Sequence, residues 1–296
     1  MKIFISGGTG FVGEHLVAEL LRNGHTVRLL VHNRSTAPAE QGIERVEGDI
    51  TRIESSADGL SGCDALINLV GIIREFPSRG ITFERLHVGA TANMLAAAAR
   101  SGISRYLHMS ALGTRPNAVS AYHQTKWRAE EQVRASDLEW TIFQPSLIFG
   151  PHDAFINMLA AQLRLAPVMP LIGSGSYRLQ PIHADDVARC FSRALEMPMT
   201  IGRTFELCGN DRLSYKALLD MVAETLGRQK PFKPRLPLGL MKLVIPVLQK
   251  VPSFPITADQ LQMLLEESIG GDEWQQVFGF APRGLRDGIA EYLGKA

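Results

Sequence analysis

Ser6-Gly7-Gly8-Thr9-Gly10-Phe11-Val12-Gly13 follows a short apolar run, Lys2 to Ser6, and opens a segment with helical spacing. Glycine suits this passage from strand to helix, because the chain must turn tightly and bring its backbone close to a ligand. The N–H groups that begin the helix are then free to bind a phosphate. The loop in this position therefore predicts a dinucleotide site. Its predicted members are Gly7, Thr9, Gly10, Phe11, Val12 and Gly13.

Short β-branched runs alternate with helical patterns through the first half of the chain. The predicted strands are Lys2 to Ser6, Thr26 to Val31, Ile43 to Glu47, Ala65 to Val70, Arg105 to Met109 and Trp140 to Gln144, with helices such as Phe11 to Arg22 and Phe83 to Arg100 between them. Such alternation indicates a parallel sheet covered on both faces. We predict an α/β fold with a doubly wound parallel sheet of the Rossmann type in residues 1–150. Residues 151–296 are predicted to form a smaller substrate lobe that partly returns to the main sheet, notably at Arg203 to Leu207.

Composition and charge exclude several classes of protein. The 296 residues carry 31 Lys and Arg against 30 Asp and Glu, so the positive footprint that nucleic-acid binding needs is missing. The three cysteines are far apart and predict neither a disulfide framework nor a zinc site, and we expect no metal. The first residues do not resemble a signal peptide, and no run reaches the roughly 18 apolar residues of a spanning helix. We expect a cytoplasmic protein, with peripheral contact at the inner face of the membrane as the alternative; the oligomeric state stays open.

The end of the second predicted strand bears on the choice of dinucleotide. Enzymes that use NAD usually place a carboxylate here to bind the ribose 2′-hydroxyl, whereas an arginine accommodates a 2′-phosphate. This strand end has no Asp or Glu but carries Arg34, with His32 and Arg28 nearby. The sequence therefore favours NADP(H). The alternatives are that Arg34 is only a solvated loop cation and that the cofactor is NAD(H).

Tyr122 and Lys126 are spaced four residues apart, so a helix would place both on one face. An unperturbed phenol has a pKa near ~10 and is a poor base at neutral pH. A nearby ammonium group stabilises the phenolate, which makes such a pair a usable proton donor and acceptor. Ser110, at the end of the preceding strand, is placed to hydrogen-bond a substrate oxygen. The three residues together predict a catalytic site for a small molecule.

Longer motifs along the chain are similar to those of one known superfamily. They are the glycine loop Gly7 to Gly13, His108 to Gly113, Ser120 to Tyr122, Trp140 to Phe143, Pro145 to Pro151 and Thr257 to Leu261. The chain resembles the extended and atypical short-chain dehydrogenase/reductase superfamily, which includes nucleotide-sugar epimerases and dehydratases. It is most similar to the branch that contains the NADPH-binding accessory subunit of respiratory complex I and its bacterial homologues.

The resemblance implies roles for particular residues. Ser110, Tyr122 and Lys126 would form the catalytic set. Further cofactor contacts would be Asp49 and Ile50 at the adenine, Leu69, Val70 and Gly71 along the adenosine ribose and the cofactor mid-section, and Pro145, Ser146 and Ile148 at the nicotinamide pocket. Many relatives carry an asparagine in a proton relay; Asn93 is the nearest candidate here, with packing as the alternative. The family's sugar-nucleotide pattern after Gly150 is not recognisable.

These observations favour an NADP(H)-dependent oxidoreductase that acts on a carbonyl or hydroxyl group. One form of this hypothesis has a lipophilic substrate. One alternative is a non-catalytic nucleotide-binding accessory or assembly protein of a respiratory complex. The other is a nucleotide-sugar epimerase or dehydratase, which uses the same cofactor without net oxidation.

Residues 236–251 form an apolar strip with two lysines. Such a strip suits a membrane surface, a respiratory complex or a lipophilic substrate, but we favour a helix that is buried against the substrate lobe and kinked by Pro246. His87, His108 and His152 lack metal-ligand spacing, and we interpret them as packing residues. We interpret His183 to Val187 as the start of a helix rather than a metal cluster.

Overall fold

The computed structural model describes residues 1–32, 41–52, 58–249, 251, 254 and 256–294. The chain divides into two compact units. The first comprises Met1–Pro145 and Ala184–Glu206, and the second comprises Ser146–His183 and Leu207–Ala296. Residues 184–206 thus return to the first unit, so the division is not a single boundary at residue 150. The dinucleotide-binding and substrate roles of the two parts remain predictions.

The strands in chain order are β1 (Lys2–Ser6), β2 (Thr26–Val31), β3 (Ile43–Glu47), β4 (Ala65–Asn68), β5 (Arg105–Met109), β6 (Glu139–Pro145), β7 (Ile148–Phe149), β8 (Leu171–Ile172), β9 (Arg178–Leu179), β10 (Ile182–His183), β11 (Arg203–Leu207), β12 (Leu213–Ser214) and β13 (Arg235–Leu236). The α-helices are α1 (Phe11–Arg22), α2 (Ala90–Arg100), α3 (Ala121–Arg134), α4 (Ala154–Leu165), α5 (Ala184–Ala194), α6 (Tyr215–Thr225), α7 (Leu238–Leu248), α8 (Ala258–Leu265), α9 (Glu273–Phe278) and α10 (Leu285–Leu293).

The main sheet contains seven strands in the described part of the chain, in the order β11-β6-β5-β4-β1-β2-β3. Every neighbouring pair from β3 to β6 is parallel. This arrangement confirms the predicted doubly wound sheet, and each of the six predicted strands is present. The fourth strand ends at Asn68 rather than Val70, because the side chain of Asn68 accepts a hydrogen bond from the Val70 N–H at 3.2 Å and turns the chain.

Helices cover both faces of the sheet. One face packs on α2 and α3, and its apolar cluster is Phe4, Leu30, Ile50, Leu60, Leu66, Ala90, Met94, Ala97, Ala98, Ile103, Tyr106, Val133 and Ile142. On the other face α1 lies against α5, and the rings of Phe143 and Phe191 approach to 4.3 Å. The predicted helix start at residues 183–187 is confirmed, since α5 begins at Ala184 with Asp185 and Asp186 in its first turn. Acidic side chains there favour the positive end of the helix dipole.

The predicted helix Phe83 to Arg100 is not uniform. Residues Glu84–Gly89 form a π-helical turn, and the α-helix begins only at Ala90. A π-helical turn is rare and is often found at functional sites. Here it carries His87 into the interior, where the side chain is almost completely buried.

The second unit has its own core, formed by α4, α6, α10 and short strands. Its buried members include Phe149, Leu159, Leu163, Leu171, Leu218, Leu219, Val222, Leu285 and Ile289. The prediction that the strip 236–251 is buried is wrong for α7, because Ile245 is the one buried side chain in its eleven described residues. Within the described residues, no helix is long and apolar enough to cross a membrane.

Candidate active site

The sheet order places the predicted cofactor residues at one edge. Strand β1 lies between β2 and β4. The connection after β1 therefore leads toward one end of the strand order, and the connection after β4 leads toward the other end. Ligands of open α/β sheets bind at this reversal, beyond the carboxyl ends of the strands. Gly7 follows β1 and Leu69 follows β4, and a Cβ atom on Gly7 would lie 3.1 Å from the carbonyl carbon of Leu69. The structure therefore brings the two predicted cofactor segments into contact.

The glycine loop is shaped by backbone contacts that only glycine allows. Gly7 has a φ of +79°, and the N–H of Gly10 donates to the Gly7 carbonyl at 3.1 Å. A Cβ atom on Gly13 would lie 2.4 Å from the Gly7 oxygen and 2.5 Å from the Gly8 carbonyl carbon. Helix α1 thus starts directly on the loop, and its N-cap residue, Gly10, makes no side-chain capping hydrogen bond. The first N–H groups of α1 are the kind that bind a phosphate, so the loop fits a dinucleotide pyrophosphate.

We expect Gly13→Ala to weaken dinucleotide binding by about tenfold, because the added methyl group must displace the Gly7–Gly8 backbone from the pyrophosphate. Fluorescence titration with NADPH and NADH measures the change. Gly239→Ala is the matched control, since a Cβ atom there meets nothing within 4 Å. Unchanged affinity in Gly13→Ala, with the control also unchanged, would contradict the placement of the pyrophosphate.

Asn68, at the end of β4, holds the backbone in place at this edge of the sheet. The sequence did not indicate this residue as part of the site. Its side-chain oxygen accepts from the Ser6 hydroxyl at 2.9 Å and from the Val70 N–H, while its amide donates to the Tyr106 hydroxyl at 3.3 Å. The side chain is almost fully buried. Asn68 therefore fixes the turn Leu69 to Gly71 against the end of β1. The available signal was one polar residue ending the otherwise apolar strand Ala65–Asn68.

The adenine side of the predicted site rests on Asp49. Burial alone would raise the pKa of this carboxyl, but hydrogen bonds from the hydroxyl and N–H of Thr51 hold the pKa below its ordinary value, with help from His32 and Arg85. The next residue, Ile50, is buried, and its carbonyl accepts a hydrogen bond from the side chain of Asn93 at 2.9 Å. Asn93 therefore fastens this loop, which is the packing alternative stated above.

The basic residues proposed for a 2′-phosphate are placed differently from one another. The Arg28 side chain donates to Glu44 at 2.8 Å and to the carbonyls of Gly59 and Ser61. Its hydrogen bonds therefore stabilise the sheet. His32 directly follows β2 and is exposed. Arg34 lies outside the described residues, and its role stays a prediction.

Ser110 directly follows β5, Tyr122 and Lys126 lie on α3, and all three are buried. Helix α3 begins after Ser120, whose hydroxyl accepts the N–H of His123 at 3.2 Å. The ammonium group of Lys126 donates to the carbonyl of Met109, the residue before Ser110, at 2.9 Å. It also lies 3.0 Å from where a Cβ atom on Gly71 would be. Lys126 therefore joins the helix with Tyr122 to the strand end with Ser110 and to the turn after β4.

The charge of Lys126 is poorly compensated. Burial lowers its pKa to about 8, and the partial restoring effect of Glu130 does not offset this. Glu130 is itself engaged, because it accepts from Gln144 at 2.8 Å and pairs with Arg134. Within the described part of the chain, the Lys126 ammonium group donates to the Met109 carbonyl, and its other N–H donors fit the hydroxyl groups of a cofactor ribose.

His87 belongs to the same site, although its sequence context indicated only packing. Its ring lies 5.3 Å from the Tyr122 ring and stacks on Phe83 at 5.2 Å. Its Nδ1 is 2.9 Å from the Thr125 hydroxyl, and its Nε2 is 3.2 Å from the backbone N and O of Ile72. Burial and the nearby Lys126 charge lower the His87 pKa to about 2, so the imidazole is neutral. His87 thus ties the turn after β4 to helix α3 without adding charge.

The residues predicted for the nicotinamide pocket fall in both units. Pro145 ends β6 in the first unit, and its carbonyl accepts from the Leu112 N–H at 2.9 Å. Ser146 and Ile148 belong to the second unit, where Ser146 hydrogen-bonds the Gln180 carbonyl and Ile148 pairs with Ile182. Their contact with a nicotinamide stays a prediction. Among the described residues, no group of three or more His, Cys, Asp or Glu is placed to hold a metal ion.

Comparison with known families assigns the chain to one of them. The model of the NAD dependent epimerase/dehydratase family matches residues 3–208, which is more than half of the chain. The chain belongs to this family. It is therefore an NAD(P)-binding protein of the short-chain dehydrogenase/reductase type, as the resemblance implied.

Several curated relatives of this family member carry respiratory names. It is 26% identical to the mitochondrial NADH-ubiquinone oxidoreductase 40 kDa subunit of Neurospora crassa, over 90% of this chain and 71% of that protein. It is 28% identical to the mitochondrial NADH dehydrogenase [ubiquinone] 1 alpha subcomplex subunit 9 of Arabidopsis thaliana, over 87% of this chain and 66% of that protein. The chain therefore spans slightly less than two thirds of the plant relative.

The chain is also similar to a curated enzyme and to a solved structure. The family member is 31% identical to a ceramide reductase of Caulobacter vibrioides, over 63% of this chain and 58% of that enzyme. It superposes on DesIV, a dTDP-glucose 4,6-dehydratase of Streptomyces venezuelae solved with NAD bound, with a TM-score of 0.77. The two share 20% identity over 99% of this chain and 96% of that chain, so this likeness concerns the fold.

Proposed function

We propose that the protein is an NADP(H)-dependent oxidoreductase that acts on a carbonyl or hydroxyl group of a lipophilic small molecule. The observation that carries this proposal is the buried Lys126, whose ammonium group lies between the strand end at Ser110 and the turn at Gly71, one helical turn from Tyr122. Burying a lysine in this way disfavours its charged form. Such a perturbed charge in a sheet-edge site supports catalysis rather than packing.

Each residue has a definite task in the proposed reaction. A bound nicotinamide supplies or accepts the hydride. In the reduction the Tyr122 hydroxyl would give its proton to the substrate oxygen, and in the oxidation the Tyr122 phenolate would take it back, while the Ser110 hydroxyl orients that oxygen. Lys126 holds the cofactor ribose and favours the ionised form of Tyr122 by its charge. His87 keeps the turn after β4 and helix α3 in register through Ile72 and Thr125.

The cofactor would lie on the first part of the chain, with the pyrophosphate on Gly7 to Gly13, the adenine beside Asp49 and Ile50, and the nicotinamide near Pro145, Ser146 and Ile148. Residues 151–296 would supply most contacts to the substrate. A lipophilic substrate is supported by the relative that is named a ceramide reductase.

The proposal is tested first through the cofactor. We expect dinucleotide retained on purification to be NADP(H), and we expect NADPH to bind at least about tenfold more tightly than NADH. Arg34→Ala should remove this preference by weakening NADPH alone, while Arg22→Ala, at the far end of α1, should leave it unchanged. Equal affinities in the wild-type protein would contradict NADP(H) and favour NAD(H).

Turnover is then measured as the net oxidation of NADPH with a panel of ketones and aldehydes that includes long-chain compounds. Net consumption of NADPH supports the oxidoreductase. A substrate that is converted without net consumption points to an epimerase or dehydratase, which the family also contains by name.

A second candidate function is a nucleotide-binding accessory or assembly role in a respiratory complex. The names of the Neurospora and Arabidopsis relatives favour it. In that case the dinucleotide would be held tightly, no carbonyl compound would be reduced, and the protein would co-purify with subunits of the respiratory NADH dehydrogenase. The protein would then work at the inner face of the membrane rather than free in the cytoplasm.

A further inference from the structure

Helix α7 presents a stripe of large apolar side chains to solvent. Leu240, Leu243 and Val247 are 54%, 75% and 67% exposed, and Val251 beyond the helix end is 49% exposed. Steps of three and four residues place these side chains on one side of a helix. Isolated exposed apolar residues are ordinary, but a continuous stripe of this kind marks an interaction surface.

The stripe is displayed rather than packed. Ile245 is the one buried side chain among the eleven residues of α7, and a Cβ atom on Gly239 would meet nothing within 4 Å. Pro246 stands inside the helix and is also exposed. The helix therefore lies on the second unit by one side, with its apolar side outward.

The chain segment that contains α7 carries charge of a single sign. Residues 225–258 contain six Lys and Arg and no Asp or Glu. Of these cations, Arg235 and Lys242 are exposed. Lys230 is also exposed but lies 3.6 Å from Glu224, and Lys233 pairs with Asp220. Phe232, just before β13, adds an aromatic ring that is 70% exposed. An apolar stripe flanked by cations, with no acidic residue in the segment, complements a surface of negative charge above an apolar layer.

We propose that α7 and its basic flank bind the surface of an anionic lipid bilayer. The stripe Leu240, Leu243 and Val247 enters the boundary between headgroups and acyl chains, and Arg235 and Lys242 contact lipid phosphates. Two copies of this chain are a poorer fit, because pairing the same face would bring cations against cations. At eleven residues α7 lies in the interface and does not cross it. Lipid binding by α7 does not depend on turnover at the active site.

The test is co-sedimentation of the full-length protein with vesicles. We expect binding to vesicles that contain phosphatidylglycerol, weak binding to pure phosphatidylcholine, and release as salt is raised. Arg235→Gln/Lys242→Gln should weaken binding by about twenty-five-fold, since each cation near such a surface contributes about fivefold. Leu243→Gln/Val247→Gln should weaken it by about tenfold or more. Both pairs are exposed, so melting temperature and dinucleotide binding should stay at wild-type values.

The matched control is Arg100→Gln/Lys216→Gln, which removes two exposed cations elsewhere and changes the net charge equally. It should bind vesicles as the wild-type protein does. The proposal is overturned by equal binding to neutral and anionic vesicles, by wild-type binding in the Leu243/Val247 variant, or by an equal loss in the control. It is also overturned if sedimentation shows that the wild-type protein is a dimer and the Leu243/Val247 variant is a monomer, because the stripe would then join two copies.

Discussion

Tyr122→Phe should lower turnover by about a thousandfold while leaving the affinity for the dinucleotide unchanged. The substitution removes only the hydroxyl that would exchange a proton with the substrate oxygen, and positioned acid–base groups typically contribute about 10²- to 10⁴-fold. The ring itself would stay in place, because Phe83 and His87 pack edge-on against it at 5.8 and 5.3 Å. The measurement is kcat with the substrate found in the carbonyl panel, beside a dinucleotide titration.

Tyr215→Phe is the control for the loss of a buried tyrosine hydroxyl. Tyr215 begins α6 in the second unit and stacks on Tyr177 at 5.4 Å. We expect turnover close to the wild-type value in this variant. Full turnover in Tyr122→Phe would remove Tyr122 from the reaction. A defect in dinucleotide binding as large as the defect in turnover would instead assign it to cofactor binding.

The parts of the fold that follow from local patterns were predictable from the sequence. Strands β1, β2, β3 and β5 have the predicted bounds, because short runs rich in apolar residues between turn residues predict strands. The glycine loop was also predictable, because its position between a strand and a helix is typical of a dinucleotide site. The structure agrees, since a Cβ atom at Gly13 would collide with backbone. Tyr122 and Lys126 share a helical face because four residues make about one turn.

The remainder of the site depends on contacts between distant residues. Asn68 acquires its role only when Ser6, Val70 and Tyr106 surround it, and its place as the polar end of an apolar strand does not reveal these partners. His87 reaches Tyr122 from a π-helical turn, whose register differs from the α-helical spacing used to interpret the sequence. Similarly, an apolar strip predicts burial by composition alone, so the exposed face of α7 was visible only in the structure.

Lys126→Met should stabilise the dinucleotide-free protein at pH 7 by about 2 kcal/mol while removing its activity. The folded protein holds the lysine at a pKa of about 8, against 10.5 for the free side chain. At 1.36 kcal/mol per pKa unit, keeping this buried ammonium charged below pH 8 costs about 3 kcal/mol. Losing the hydrogen bond to the Met109 carbonyl returns about 1 kcal/mol of that gain.

The dependence on pH separates charge from packing. Between about pH 8 and pH 10.5 the unfolded chain still binds the lysine proton and the folded chain does not, so this group's contribution to wild-type stability rises with pH. The advantage of Lys126→Met should therefore be full below pH 8 and disappear by about pH 10.5, as followed by urea unfolding. Lys216→Met, at an exposed position of α6, should have no such pH-dependent advantage. If Lys126→Met raised the free energy of unfolding by the same amount at both pH values, the buried charge would not be what destabilises the wild-type protein. The main observation in favour of a functional site would then be lost. If the advantage fades with pH as expected, the protein keeps a destabilising charge at its active site, which is the cost expected of a group retained for binding or catalysis.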